Sequence, residues 1–319
     1  MYRVLNFSNI EDIGRYLNGY ERVSKQDPYF LPEFFQFFSG GLNSLFCHYY
    51  ELHDGQLILM PFYKRAIFKS NKWFDVTSPY GYSGPYCSSG ITSEILIQFW
   101  NIVDDWYKSQ GIVSEFVRFS LNNNSTSYTG ETINTLLNVK GKIIPPEDQW
   151  KAFEHKVRKN IKKSLSKGLT TLIIDGMSVT AQQLVDFHNI YVHTMERNNA
   201  KATFYYPLES FKEFTGKVGS FCVFAFVYDI YNCISAEMAL LSKDTVYSFL
   251  GGTLDTAFSQ RPNDLLKFEL INWARSQGKI FFVLGGGYKP NDGIFRFKKS
   301  FFPNDIVQYI TGRKIIDKN

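Results

Sequence analysis

The chain has 319 residues, with 35 Lys and Arg against 30 Asp and Glu, a formal net charge of +5. Hydrophobic residues make up 44% and aromatics 17%, which excludes a disordered chain and supplies apolar surface for two cores. The four cysteines form no CxxC and have no His at ligand spacing, so neither a disulfide framework nor a metal site is expected. No apolar run reaches the roughly 18 residues that span a membrane, and the first residues lack the apolar stretch of a signal peptide. The expectation is a soluble cytoplasmic protein.

In chain order, two apolar runs at 45–52 and 56–63 flank Asp54-Gly55, a strong hairpin signal. A loop rich in Gly, Pro and Tyr follows at 78–90. A helical pattern at 94–110 is stopped by Gly111 and leads into a β-type run at 112–119. The polar stretch 122–129 reads as a loop, and Pro145-Pro146 marks a domain boundary. The second half opens with one predicted helix at 149–167, on which Trp150, Phe153, Val157, Ile161 and Leu165 form an apolar stripe that Gly168 ends. A second helix is predicted at 181–197, then strands at 221–228, 233–241 and 245–251. Pro262 opens a helix at its favoured first position. That helix ends at Gly278, and a strand at 279–284 runs into Gly285-Gly286-Gly287.

Two segments match at an offset of 167: Trp106-Tyr107-Lys108-Ser109-Gln110-Gly111 and Trp273-Ala274-Arg275-Ser276-Gln277-Gly278. Phe99 and Val103 align with Leu266 and Leu270, Tyr80 with Tyr247, and Gly84 with Gly251. Each copy reads strand, glycine turn, helix, glycine stop, strand, which indicates a duplicated domain.

A β-meander, a helix and a further strand is the order of the GNAT acyltransferase core. Several motifs, in order, resemble the Fem family of peptidyltransferases. They are Asp27-Pro28-Tyr29-Phe30-Leu31-Pro32-Glu33-Phe34, Ser78-Pro79-Tyr80-Gly81-Tyr82-Ser83-Gly84-Pro85, and Val157-Arg158-Lys159-Asn160-Ile161-Lys162-Lys163. Thr194-Met195-Glu196-Arg197 and Gly251-Gly252-Thr253 follow, then Arg261-Pro262-Asn263-Asp264-Leu265-Leu266 and Phe297-Lys298-Lys299-Ser300-Phe301. The resemblance covers nearly the whole chain. It implies an α+β fold of two tandem GNAT-like domains, each a mixed central sheet flanked by helices. Their expected extents are 1–148, with 306–319 returning to it, and 149–305, the catalytic copy. It further implies bacterial cell-envelope work: acyl or aminoacyl transfer to an amine of a nucleotide- or lipid-linked peptidoglycan or surface-polysaccharide precursor. Aminoacyl-tRNA would be the co-substrate, with no tightly bound cofactor. The chain departs from the family in three places. No lysine near 32–38 matches the acceptor-holding one, Phe302 stands where Gly is frequent, and no long antiparallel helical arm for tRNA is inserted.

Amine attack on an ester or thioester needs a positioned donor, a neutral amine and stabilisation of the oxyanion. Lys298 is the leading catalytic candidate. In an extended run from Phe295, Arg296 and Lys298 would share one face and Phe297 the other. Pattern alone reads that run as an edge strand with solvated cations, and the resemblance shifts it towards function. Arg197 ends a helix, where it either complements the dipole or grips phosphate or carboxylate. The resemblance adds Tyr80, Tyr82, Gly84, Phe297 and Asn263 as substrate-binding residues, with Arg296. Helix 149–167 carries seven cations against Glu154. Most read as a solvated face, but Lys159, Lys162 and Lys163 are candidates to contact tRNA or another polyanion. The turn at Arg261-Pro262-Asn263-Asp264 lacks the glycines that let backbone approach pyrophosphate, and Asp264 adds negative charge there. This disfavours acyl-CoA. Two alternatives stay open: a CoA-dependent N-acetyltransferase acting on an amino sugar, and a non-catalytic duplicate that binds an anionic ligand.

Overall fold

The computed structural model describes residues 1–23, 26–67 and 72–316. Contacts divide the chain into two units, Met1–Leu136 with Gln308–Asn319, and Leu137–Val307. The first unit begins with β1 (Tyr2–Asn6) and α1 (Ile10–Arg22), whose start is capped by the Asn9 side chain accepting from the Glu11 and Asp12 amides. A short α2 (Pro32–Phe34) precedes the hairpin β2 (Leu45–Glu51) and β3 (Leu57–Ala66). Gly55, at φ +84°, supplies the left-handed turn residue that the Asp-Gly pair announced. Next come β4 (Phe74–Thr77), β5 (Tyr86–Cys87), α3 (Ser93–Ser109) and β6 (Ile112–Arg118). Phe99, Trp100, Val103 and Tyr107 form the buried face of α3, packed on Ile58, Met60 and Phe62 of β3. Gly111 stops α3 at φ +65°, where a Cβ would meet Lys72 O at 2.4 Å.

The second unit takes in β7 (Glu131–Lys142) from Leu137 on, then α4 (Pro146–Ala152), α5 (His155–Ser166) and β8 (Thr170–Asp175). It continues with α6 (Ala181–Arg197), α7 (Leu208–Val218), β9 (Cys222–Tyr228), β10 (Cys233–Leu241) and β11 (Thr245–Thr253). It ends with α8 (Pro262–Ser276), β12 (Phe281–Gly285) and α9 (Gly293–Lys299). α6 starts on a capping box, Thr180 with Gln183. The single helix expected at 149–167 is two helices. The chain extends at Phe153 and Glu154, because Phe153 is buried against Phe268 and Phe301 and the Glu154 amide donates to Ser300 O at 3.0 Å. The Arg158 guanidinium turns back onto the freed carbonyls of α4, including Lys151 O at 3.0 Å. Leu165 is 53% exposed, so the buried stripe ends at Ile161.

The last strand, β13 (Ile306–Ile315), pairs antiparallel with β6 from Ser114 to Arg118. The first unit's sheet therefore runs β1-β2-β3-β4-β6-β13, and the second's β8-β9-β10-β11-β12-β7. The two match strand for strand. Both are antiparallel throughout except at β4 with β6 and at β11 with β12, the parallel pairs that follow from a helical crossover. β7 follows β6 in sequence yet closes the second unit's sheet, while β13 follows β12 and closes the first's. The mixed sheets with flanking helices make this an α+β duplicated fold.

Gly141 of β7 lies under Phe302, and a Cβ there would come within 2.2 Å of the ring. Gly141→Ala should therefore cost about 1–3 kcal/mol of stability by overpacking. Adding Phe302→Leu should restore part of it, read as urea midpoints.

Candidate active site

β11 keeps company with β12 for three residues, Thr245 opposite Phe281 to Tyr247 opposite Val283, and then parts from it. On its other side β11 bulges against β10: Met238 faces Leu250 while Ala239 faces Ser248, which leaves Phe249 as the extra residue. Beyond Tyr247 the edge of β11 looks into a cavity of about 520 Å³, formed wholly by residues of the second unit. The end of α6, the start of α8 and α9 supply its other walls. A larger groove of about 760 Å³ beside Trp150 and Phe268 is mostly apolar and contains no buried charge pair.

Four of the residues expected from sequence meet at the cavity: Lys298, Arg197, Asn263 and Phe297. Lys298 sits in helix α9, not in an extended run, because Asp292 caps the segment by accepting from the Phe295 amide at 2.8 Å. Helical geometry turns Arg296 and Lys298 to different sides. Lys298 Nζ donates to Gly286 O at 2.7 Å, while Arg296 is exposed and donates to Asn291 O at 2.6 Å. Arg296 does not line the cavity. Burial, reinforced by the charge of Lys267, lowers the Lys298 ammonium to about 8. Arg197 donates to Thr253 O at 2.9 Å and lies 4.8 Å over the Phe258 ring, so its fork is held at the cavity wall.

Tyr80, Tyr82 and Gly84 belong to the first unit. Tyr82 is part of an aromatic cluster with Tyr29 and Tyr309, at 5.1 and 5.9 Å. Gly84 is buried at φ +84°, where a Cβ would strike Phe119 and Asn124. Both are in contact with other residues of the first unit. Lys159, Lys162 and Lys163 are exposed on α5. Gly285-Gly286-Gly287 does not cradle a ligand anion. A Cβ on Gly287 would overlap the Asp292 carboxylate, which already accepts the Tyr288 and Lys289 amides.

The first turn of α8 carries a buried carboxylate. Asp264 is buried there, accepts from Asn160 Nδ2 at 3.0 Å, and has its carboxyl raised by burial. Arg261 before it is left-handed at φ 62°, and Ser164 Oγ ties down the Gln260 and Arg261 carbonyls.

Sequence reading missed the cavity's most buried feature. Glu237 of β10 and Lys267 of α8 form an ion pair with side chains 7% and 6% exposed, and Lys267 Nζ also donates to Ser248 Oγ at 2.7 Å. Breaking such a pair from one side costs about 3–5 kcal/mol. Glu237 Oε1 is buried with no partner among the described residues, as is Thr194 Oγ1. A signal was present: Glu237 interrupts the apolar run Ala236 to Leu241, and Lys267 interrupts the stripe of Leu265, Leu266, Leu270 and Ile271.

Residues 153–299 match the family model of the acetyltransferase (GNAT) domain. The crystal structure of FemX superposes with a TM-score of 0.66 at 11% identity, over 94% of this chain and 96% of that one. A conserved protein of unknown function from Bacteroides thetaiotaomicron gives 0.60 at 10% identity, over 98% and 99%. At such identities the likeness carries the fold alone. No curated protein matches the sequence. The second unit thus has a GNAT-like fold, and its cavity lies where β11 and β12 separate.

With ¹³C-methylated lysines, one resonance should titrate with a midpoint near pH 8, and Lys298→Arg should abolish it. Absence of a lysine signal below pH 9 would contradict the lowered proton affinity of Lys298.

Proposed function

We propose that the chain is a Fem-like N-acyltransferase that moves an aminoacyl or acyl group from an ester or thioester donor to an amine of a cell-envelope precursor. The observation that carries this reading is the cavity at the parting of β11 and β12, closed by the ammonium of Lys298. The exposed backbone edge of β11 offers a place for the donor's acyl group. Lys298, drawn onto Gly286 O, holds positive charge where a tetrahedral oxyanion would develop. Arg197 and Arg261 give the mouth of the cavity a cationic rim for a phosphate or carboxylate of donor or acceptor. Asp264 at the head of α8 favours a donor that places no pyrophosphate there, which supports an aminoacyl ester over acyl-CoA.

The basic face of α5 fits a tRNA donor. Lys156, Lys159, Lys162, Lys163 and Lys167 are exposed, while Arg158 is spent on α4. Among the described residues no helix is long and apolar enough to cross a membrane.

Transfer of radiolabel from charged bulk tRNA, or from acetyl-CoA, to nucleotide- and lipid-linked precursors tests the reading. Label that stays on both donors would overturn it. Lys298→Ala should slow transfer by roughly a hundredfold or more with the fold intact, and Lys298→Arg should recover only part. Arg296→Ala should leave the rate unchanged, since that side chain faces solvent. As the pH rises through about 8, wild-type transfer should fall as the ammonium loses its charge. Charge reversal at Lys159, Lys162 and Lys163 should weaken tRNA binding, by less as salt rises. Equal binding in a filter assay at low salt would return α5 to a solvated face.

A further inference from the structure

We propose that the second unit docks peripherally on an anionic lipid surface, through the tip between β9 and β10 and the basic end of α5. The inference goes beyond the acyl-transfer reading and does not depend on it. β9 ends at Tyr228 and β10 begins opposite it at Cys233, so residues 229–232 form a short tip. Asp229 shapes that tip. Its Oδ1 accepts the Tyr231 and Asn232 amides at 2.8 and 2.7 Å, and its own amide donates to Asn232 O at 3.0 Å. The turn holds Ile230 and Tyr231 outward, 84% and 86% exposed. A lone exposed apolar residue needs no explanation. Two adjacent ones on a hydrogen-bonded tip contribute almost no burial to the fold that carries them, which marks a contact surface.

The surroundings of the tip narrow the choice of partner. β8 starts at Thr170, opposite Tyr228, so the turn from α5 into β8 lies at the same end of the sheet as the tip. The last turns of α5 and that connection carry Lys162, Lys163 and Lys167, all exposed, with Leu165 among them at 53% exposed. α5 itself contains no carboxylate. The carboxylates at this end are engaged: Asp229 within the tip, Asp186 with Gln182, and Asp255 with the Thr256 amide and His193. β11 ends here as well, since Thr253 pairs with Ser235. Arg197 donates to Thr253 O, and Ser164 Oγ to Arg261 O at 2.8 Å, so the cationic rim of the cavity belongs to the same end.

Lysines alone fit any polyanion. RNA satisfies them through its phosphates and can stack a base on Tyr231, but it gives Ile230 and Leu165 no dry place. A bilayer answers both features. Its anionic headgroups attract the lysines, and the boundary between headgroups and acyl chains takes up Ile230 and the Tyr231 ring, whose hydroxyl stays at the polar level. Among the described residues no helix is long and apolar enough to cross a membrane, so attachment by this end is peripheral. Docked in this way, the unit presents the rim of its cavity at the lipid surface.

The test is sedimentation of the full chain with vesicles of phosphatidylcholine alone, or of equal parts phosphatidylcholine and phosphatidylglycerol. Wild-type protein should bind the mixed vesicles about tenfold or more tighter than the neutral ones, and less tightly as salt rises. Ile230→Asp with Tyr231→Asp should weaken binding to mixed vesicles by about tenfold or more. Both side chains are exposed, so thermal melting should be unchanged, and so should binding of bulk tRNA. In Tyr231→Trp, mixed vesicles should shift the tryptophan emission to the blue beyond any shift in wild type, as the indole leaves water. Wild-type protein that stays in the supernatant with mixed vesicles would overturn the proposal. So would a double variant that binds them as tightly as wild type, or one that loses tRNA binding in equal measure, which would make the tip part of an RNA surface. Vesicle binding needs no turnover, so failure here leaves acyl transfer standing, and a chain without transferase activity leaves the docking surface standing.

Discussion

The separation of β11 from β12 is the constraint on which the site depends. Two parallel strands that pair for three residues and then diverge leave a row of backbone groups with no sheet partner on one side. Such groups are costly to enclose. The fold therefore keeps a cavity open along them, and the bulge at Phe249 adds local twist on the opposite edge. Everything that lines the cavity is placed by that wedge. The start of α8, the end of α6 and α9 form its other walls.

Charge follows from the same geometry. A wedge between strands is partly dry, so ionic groups within it need partners. Glu237 and Lys267 satisfy one another and Ser248, and Lys298 uses a carbonyl that Gly286 presents. Burial and the neighbouring Lys267 then act on Lys298 together and lower its affinity for a proton. The result is a lysine whose charge is at stake near physiological pH, close to the buried Glu237–Lys267 pair.

The duplication shows a copy of this fold with other residues at these positions. Shifted by 167, the cavity residues Thr194, Arg197, Gly252, Thr253, Phe258 and Asn263 fall on Asp27, Phe30, Pro85, Tyr86, Ile91 and Leu96. These line a cavity of about 240 Å³ in the first unit, with Phe30 stacked on Tyr86 at 4.4 Å. Trp100, fully buried, stands at the position of Lys267. An indole, with the Lys314 ammonium 5.0 Å from its ring centre, stands where the second unit holds one member of its ion pair.

The order of elements was legible in the residues themselves. The Asp54-Gly55 hairpin, the helix stops at Gly111 and Gly278, the start at Pro262 and the repeat at 167 each rest on local backbone chemistry and hydrophobic period, which neighbours in sequence determine. The motifs that carry Lys298, Arg197, Asn263 and Phe297 were located by a family resemblance, but that these four line one cavity is a result of packing. Local rules failed where a distant contact outweighed them. Phe153 leaves its helix because Phe268 and Phe301 bury it, and Arg296 and Lys298 part because Asp292 winds their segment into a helix. β7 joins β12 instead of β6, a choice of partner that strand propensity does not encode. The Glu237–Lys267 pair belongs to the same class. Its members lie 30 residues apart on a strand and a helix, and each alone is a misplaced charge in an apolar run. Only packing, which removes water from both at once, makes them one buried group.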